Sequence, residues 1–343
     1  MEIKECLTWL TGETGLSGVE DSFAQTLCER LRKLGLKAEV DPYGNVHGSL
    51  RNQNENAKTM LFEAHMDQIG LMVSEVDEDG YLQFVNLGGV DERILPGMEV
   101  TIFADSSIKG IIGGFLPEKK EEEEQKNPSL KDYRIDTGLT PEEAKRKIHP
   151  GDFIRIDGET CGLLHQRMSG CAMDNRAGIT AILCCLEALI HKKPAYHVEV
   201  LFSTQEELGL HGAYTGITPG SVDVAIAVDV THGTTPDVKE QTGVFALGSG
   251  AVICRGPNLH YEYTKQLLSL AEQKDVSHEI EVASGGSGTT AWAIQTLGGG
   301  IPVMLISIPL RYMHTNVETL EVSDIKAVAD LLYHAAMGGI EIA

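Results

Sequence analysis

Two adjacent glutamates, Glu206 and Glu207, close the apolar run LFSTQEELG at 201–209. Such a pair can divide its work, one carboxylate holding a cation while its neighbour moves protons. Three other stretches place His or Asp in comparable positions after β-rich runs: LFEAHMD at 61–67, AIAVDVTHG at 225–233 and MLISIPLRYMHT at 304–315. They contribute His65, Asp67, Asp229 and His314. A further segment, SGCAMDNRAG, carries Asp174 ahead of a helix with Ile179, Ile182, Leu183, Leu186 and Leu189 on its apolar side. Imidazole nitrogen and carboxylate oxygen are the donors that zinc-like cations accept, and two such ions roughly balance three ligating carboxylates.

Each residue also has a plain structural reading. Asp174 suits a helix N-cap, where aspartate is favoured. A strand-end His65 can hydrogen-bond backbone, His314 can be a satisfied loop histidine, Asp229 can cap a turn, and the two glutamates can be rim charges. Held together at one sheet edge, however, these acids would repel one another unless a cation compensated them. His65 and Asp67 are two apart and share a strand face. Asp67 could therefore accept a hydrogen bond from the outer imidazole nitrogen and fix its tautomer; a surface or capping aspartate fits the same spacing.

The elements that must position these groups follow from periodicity. Phe23, Leu27, Leu31 and Leu34 recur at helical spacing and the segment stops before Gly35, which predicts a helix from Glu20 to Leu34. LKAEV and NVHGSL, joined around Gly44, read as paired strands, and TMLFEAH at 59–65 as a fully buried one. After residue 170 helices and apolar strands alternate through GITAILCCLEALI, VEVLFST, VDVAIAVDV and IPVMLISI, the pattern of a layered α/β fold. In such sheets ligands gather beyond the carboxyl ends of the strands, so His65, Glu206, Glu207, Asp229 and His314 can share one site.

Between 70 and 164 the texture changes to short β-type runs, with Asp79 and Gly80 suited to a type I′ hairpin. The expected organisation is a catalytic α/β domain of residues 1–69 and 165–343, with a β-rich domain of residues 70–164 inserted into it. Thr140, Pro141 and Glu143 begin a short helix with a capping box, and EKKEEEEQK at 118–126 reads as a solvated loop.

Bulk properties narrow the function classes. A chain of 343 residues at 42% hydrophobic content can bury a large core. Its net charge of −22 excludes nucleic acid as a natural partner, because no basic cluster offsets phosphate repulsion. Glu2, Lys4 and Glu5 interrupt any basic-then-apolar leader pattern, and GITAILCCLEALI is broken by Glu187 and too short to span a bilayer. Seven cysteines without C-x-x-C spacing read as reduced thiols. A soluble cytoplasmic protein, without membrane or nucleic-acid partners, is the expectation.

Taken together, AHMDQIGLMV, AMDNRAG, STQEELGLHGA, AVDVTHGTTPD and LRYMHTNVE resemble, in order and spacing, the landmarks of the tetrahedral (TET-type) glutamyl and deblocking aminopeptidases, which are zinc- or cobalt-dependent di-metal exopeptidases. The similarity runs from LSGVEDSFAQTL to the final helix. It implies a mixed-sheet di-zinc exopeptidase fold, α/β with helices on both faces, plus an inserted small β-barrel-like domain used for dimerisation and as a lid. It implies two divalent cations per subunit, Zn²⁺ or Co²⁺ with Mn²⁺ tolerated. Asp174 would bridge them, His65 and Asp229 completing one site and Glu207 and His314 the other. Glu206 would be the general base, Asp67 its catalytic companion beside His65, and the peptide bond after Asp174 would be cis. The substrates would be peptides with a free N-terminus, and the assembly a homo-oligomer, a dodecamer or smaller.

Two departures concern specificity. Thr290, in GTTA, stands where many relatives carry an aspartate, and GGFLPEKK lacks the Pro-Pro-His often found after that glycine. Rival readings are a metal-dependent deacylase or carboxypeptidase of the same fold, an endoglucanase, and a homologue that has lost turnover. An endoglucanase would leave the histidines unexplained and has only Trp9 and Trp292 as tryptophan sugar platforms.

Overall fold

The computed structural model describes residues 2–114, 130–236 and 243–342. The charged run at 118–126 therefore lies outside the described residues. Helices α1 (Ile3–Gly12) and α2 (Asp21–Lys33) lead into strands β1 (Lys37–Val40), β2 (Val46–Leu50) and β3 (Thr59–His65). Six strands then form a barrel: β4 (Gly70–Val76), β5 (Leu82–Leu87), β6 (Glu99–Phe103), β7 (Ser107–Gly114), β8 (Tyr133–Asp136) and β9 (Phe153–Ile156), with α3 (Pro141–Lys147) between the last two. The chain returns through β10 (Cys161–Gly162), β11 (Arg167–Gly170), α4 (Met173–Leu189), β12 (His197–Ser203), α5 (His211–Gly216) and β13 (Val224–His232). It ends with β14 (Ala251–Arg255), α6 (Tyr261–Gln273), β15 (His278–Val282), α7 (Ala291–Ile294), β16 (Val303–Leu310), β17 (Glu318–Glu321) and α8 (Val322–His334).

The main sheet has eight strands in the order β1-β2-β12-β3-β13-β16-β14-β15. Its centre, β12-β3-β13-β16, is parallel, and β2 and β14 flank that centre antiparallel. Alternate residues feed two cores. Met60, Phe62 and Ala64 of β3 join Val224, Ile226 and Val228 of β13 in a large cluster with α1, α2, α4, α6 and α8. Leu61, Ala225, Ala227 and Leu305 point the other way, into a smaller cluster covered by α5 and α7. Helices thus lie on both faces, unequally: the second face carries only short ones, and the polar side chains at the strand ends belong to that face.

The barrel has its own core of Leu71, Val73, Leu82, Phe84, Val100, Ile102, Ile135 and Ile154, continuous with the period-2 runs in its sequence. Its first hairpin corrects one expectation. Gly80 has φ +89 whereas Asp79 is not among the residues of positive φ, so this is not a type I′ turn. Asp77 instead accepts from Gly80 N–H at 3.2 Å and donates its own N–H to Tyr81 at 2.9 Å, a longer loop closed by a left-handed glycine. Two hydrogen bonds and an ion pair hold the Asp77 side of the loop: the Asp77 carboxylate accepts from the N–H groups of Asp79 and Tyr81, and Arg134 lies 3.6 Å away. The capping box at Thr140 and Glu143 is present. Among the described residues no helix is long and apolar enough to cross a membrane.

Candidate active site

Four pieces of backbone converge at one end of the parallel strands. His65 is the last residue of β3 and lies level with Ser203 at the end of β12. Asp229 sits inside β13, level with Ser307 of β16, so it occupies the strand rather than a turn beyond its end. His314 follows β16 in a loop, at φ +63. Asp174 opens α4 at a cis peptide to Asn175, with non-helical torsions at both residues.

Asp174 is therefore not the cap of its helix. Asn175 takes that task, its Oδ1 accepting from Gly178 N–H at 3.0 Å, while its Nδ2 donates to the Val228 carbonyl at 2.8 Å. The second bond pins the start of α4 beside Asp229. Asp174 is left with both oxygens directed into the site. Oδ1 lies 3.0 Å from His65 Nε2 and Oδ2 lies 3.5 Å from His314 Nε2. Asp229 Oδ1 is 3.8 Å from His65 Nε2, and Glu207 Oε1 is 3.3 Å from His314 Nε2. Two donor groups result, His65–Asp174–Asp229 and Asp174–Glu207–His314, each with ligand atoms within 4.8 Å of one another and sharing Asp174. A third grouping, His65–Glu206–Glu207, meets the same distance.

The glutamate loop is held by side chains distant in sequence. Gln205, at φ +51, donates its N–H to Glu20 Oε1 at 3.1 Å, and Thr204 donates to Asn45 Oδ1 at 3.1 Å. Asp67 accepts the N–H groups of Glu206 and Glu207 at 2.9 and 3.1 Å, and the Ser17 hydroxyl at 2.5 Å. His65 Nδ1 lies 3.4 Å from Asp67 Oδ1 but does not form a hydrogen bond with it. The expected imidazole contact is thus a long one, because the Asp67 oxygens are already directed at the glutamate backbone. Replacing Asp67 by asparagine removes one of those acceptors, and kcat/KM is expected to fall about 10- to 100-fold at saturating cation. Steady-state kinetics at several cation concentrations measures this, and an unchanged kcat/KM would remove Asp67 from the machinery.

Electrostatics agree with a site arranged around positive charge. Burial pushes Glu206 up to about 8, with Glu207 and Asp174 adding to the rise and His65 opposing it. Burial likewise raises Glu207, and holds Asp229 well above the usual carboxylate range. Burial works against charge on His65, but Glu206, Asp174 and Asp67 outweigh it and hold that imidazole well above its ordinary range. His314, bonded to Asp174 and Glu207, is held up to about 11. Asp174 goes the other way: burial opposes ionisation, yet the two histidines keep it below the ordinary range. Three carboxylates and two imidazoles form a donor set that divalent cations fit.

Several functional neighbours were not singled out by sequence reasoning. Glu318 is buried and accepts the N–H groups of both Asp174 and His314, at 3.2 and 2.8 Å, tying the two ends of the site together. Its signal was its place in LRYMHTNVE, four residues after His314. The Gly89 carbonyl, next to the barrel strands, accepts from His314 Nδ1 at 2.8 Å and so leaves Nε2 facing the carboxylates. Thr290, by contrast, was singled out in the sequence; it is buried beneath the site, its hydroxyl donating to Glu63, which also accepts from Ser203 at 2.6 Å. The acid at this spot comes from β3 rather than from the GTTA segment.

Residues 44–331 match the sequence model of the M42 glutamyl aminopeptidases, which is most of the chain. This chain belongs to that family. A curated relative from Acetivibrio thermocellus is 33% identical over 339 residues, 96% of this chain and 97% of its own. An aminopeptidase from the archaeon Desulfurococcus kamchatkensis superimposes with a TM-score of 0.91 at 32% identity, over 98% of this chain and 95% of its own. The TET1 peptidase of Pyrococcus horikoshii, which can assemble into a tetrahedron or a large octahedral shell, has a TM-score of 0.84 at 28% identity, over 98% of this chain and 99% of its own. The fold of this M42 chain is thus that of the TET aminopeptidases.

Proposed function

We propose that this M42 chain is a metal-dependent aminopeptidase that removes N-terminal residues from peptides, with Glu206 as general base. The observation that supports it most is Asp174, whose two oxygens face two histidines from different parts of the chain, with Glu206 alongside. In this reading His65, Asp174 and Asp229 hold one divalent cation, and Asp174, Glu207 and His314 a second. Zn²⁺ or Co²⁺ suits these donors best, and Mn²⁺ is tolerated. Bound there, the ions would supply Lewis acidity toward the scissile carbonyl and lower the pKa of an attacking water.

The chain's own residues supply the rest. Glu206 takes the proton from the attacking water and returns it to the departing amine. Asp67 fixes the backbone from which Glu206 projects, and Glu318 fixes the spacing between Asp174 and His314. The acids around the cavity hold the substrate's ammonium terminus, which selects exopeptidase cleavage. By analogy with its shell-forming relative, the chain is proposed to be a homo-oligomer, a dodecamer or smaller, using the barrel for dimerisation and as a lid. Free cysteines at all seven positions suit a cytoplasmic location.

The deciding comparison is a peptide with a free N-terminus against the same peptide acetylated. The free form is expected to be cleaved at least about 100-fold faster, because the acetyl group removes the cation that the site's acids hold. Equal rates would favour a deacylase or another amidase of this fold.

A further inference from the structure

Beside the candidate metal ligands the cavity continues, about 250 Å³ in all, toward a wall formed by Thr231, His232, Glu281, Ser287, Thr289 and Met313. Among the described residues that line it there is no lysine or arginine. Its acids divide into two groups. Asp174, Glu206, Glu207 and Asp229 stand at the proposed cation sites. Glu281 stands apart from them on β15, and among the described lining residues only His232 is a basic group on that wall. The Thr231 hydroxyl donates to Glu281 Oε1 at 2.9 Å, which fixes the carboxylate toward the cavity.

The placement of Glu281 has a length scale. Asp229 and Thr231 are two apart on β13 and share a face, so the Glu281 contact lies about 7 Å along the strand from the Asp229 ligand position. A lysine side chain, four carbons and an ammonium, extends roughly 6 Å from its α-carbon. A peptide whose first α-carbon sits at the cation pair would bring such an ammonium to Glu281. A glutamate side chain would bring a carboxylate there instead, against the like charge of Glu281, with His232 the only basic group on that wall among the described lining residues.

Resting on the aminopeptidase reading above, we infer that Glu281 is the specificity-determining residue and that the enzyme prefers basic N-terminal residues, lysine and arginine, over acidic ones. Two independent features favour it. Burial raises the Glu281 carboxyl above its ordinary range, with Thr231 and His232 opposing, and a bound ammonium would relieve that burial cost. The whole chain carries a net charge of −22, which concentrates cationic peptides near its surface and repels acidic ones.

The test is a profile of kcat/KM on Lys-, Arg-, Leu-, Ala- and Glu-p-nitroanilide with the cation-loaded enzyme. Lys and Arg substrates are expected to lead by about 10-fold or more and Glu to come last. In Glu281→Gln the Lys:Ala ratio of kcat/KM is expected to fall about 10- to 100-fold, mainly through KM. Glu281→Lys is expected to move the optimum toward Glu. A native preference for Glu or Leu overturns the inference while leaving the aminopeptidase reading intact. So does a parallel loss on all substrates in Glu281→Gln, which would mean that Glu281 holds the α-ammonium rather than the side chain. Cleavage of no substrate in the panel would overturn the aminopeptidase reading itself and this inference with it.

Discussion

Glu206→Gln is expected to lower kcat roughly 1,000- to 10,000-fold while the protein still binds two cations per chain. The amide keeps the size and hydrogen-bonding reach of the acid but cannot take a proton from water. Everything around it should stay in place, because Asp67 binds the Glu206 backbone rather than its side chain. The geometry also admits a different role, since Glu206 falls within ligand distance of His65 and Glu207. Metal analysis of the variant separates the two. Two cations retained with turnover lost identifies a base; a cation lost with turnover identifies a ligand; turnover retained removes Glu206 from the chemistry altogether.

Exhaustive chelation is expected to abolish hydrolysis and to make stability fall as pH rises. The sign follows from which state holds the protons. Burial keeps Asp229 and Glu318 well above the carboxylate range and Glu206 up to about 8. Folded protein therefore keeps protons that the unfolded chain has released, and stability is lost as pH climbs from the ordinary carboxylate range to about 8. His314, held up to about 11 by Asp174 and Glu207, adds stability that is fully present below its ordinary 6.5 and is lost above it. Asp174 and Asp67, both held low, act in the opposite sense and only at lower pH, their contribution vanishing as pH falls below the ordinary 3.8. Adding Zn²⁺ or Co²⁺ replaces those protons. At a thousandfold excess over Kd it should stabilise by about 4 kcal/mol and raise Tm by several degrees at pH 8. Thermal melts at pH 5, 6.5 and 8 with and without cation measure this, and pH-independent melts unaffected by cation would contradict a metal site here.

Much of the fold was legible because its signals are local. The helix over 21–33, the hairpin around Gly44, the buried strand 59–65 and the capping box at Thr140 each depend on residues within one or two turns of chain. The turn at Asp79 was misread because a left-handed glycine serves two turn types, and the choice between them depends on how the barrel strands twist. Asp174 was legible as a candidate ligand, but its alternative reading as a helix N-cap does not hold, since the next residue, Asn175, caps that helix.

The sequence by itself determined the alternation of helices and strands, the residue types able to hold cations and the motifs that carry the family resemblance, because periodicity and donor chemistry are written in neighbouring residues. Only tertiary structure decided that Asp67 serves the Glu206 and Glu207 backbone more than His65, that Glu318 joins Asp174 to His314, and that Glu281 from β15 reaches Thr231 on β13. Apart from the Glu318–His314 bond, four residues apart, those contacts join segments 50 to 144 residues apart in the chain. Their existence depends on how the sheet twists and on which side chain fills each remaining acceptor, and no local pattern of residues encodes either.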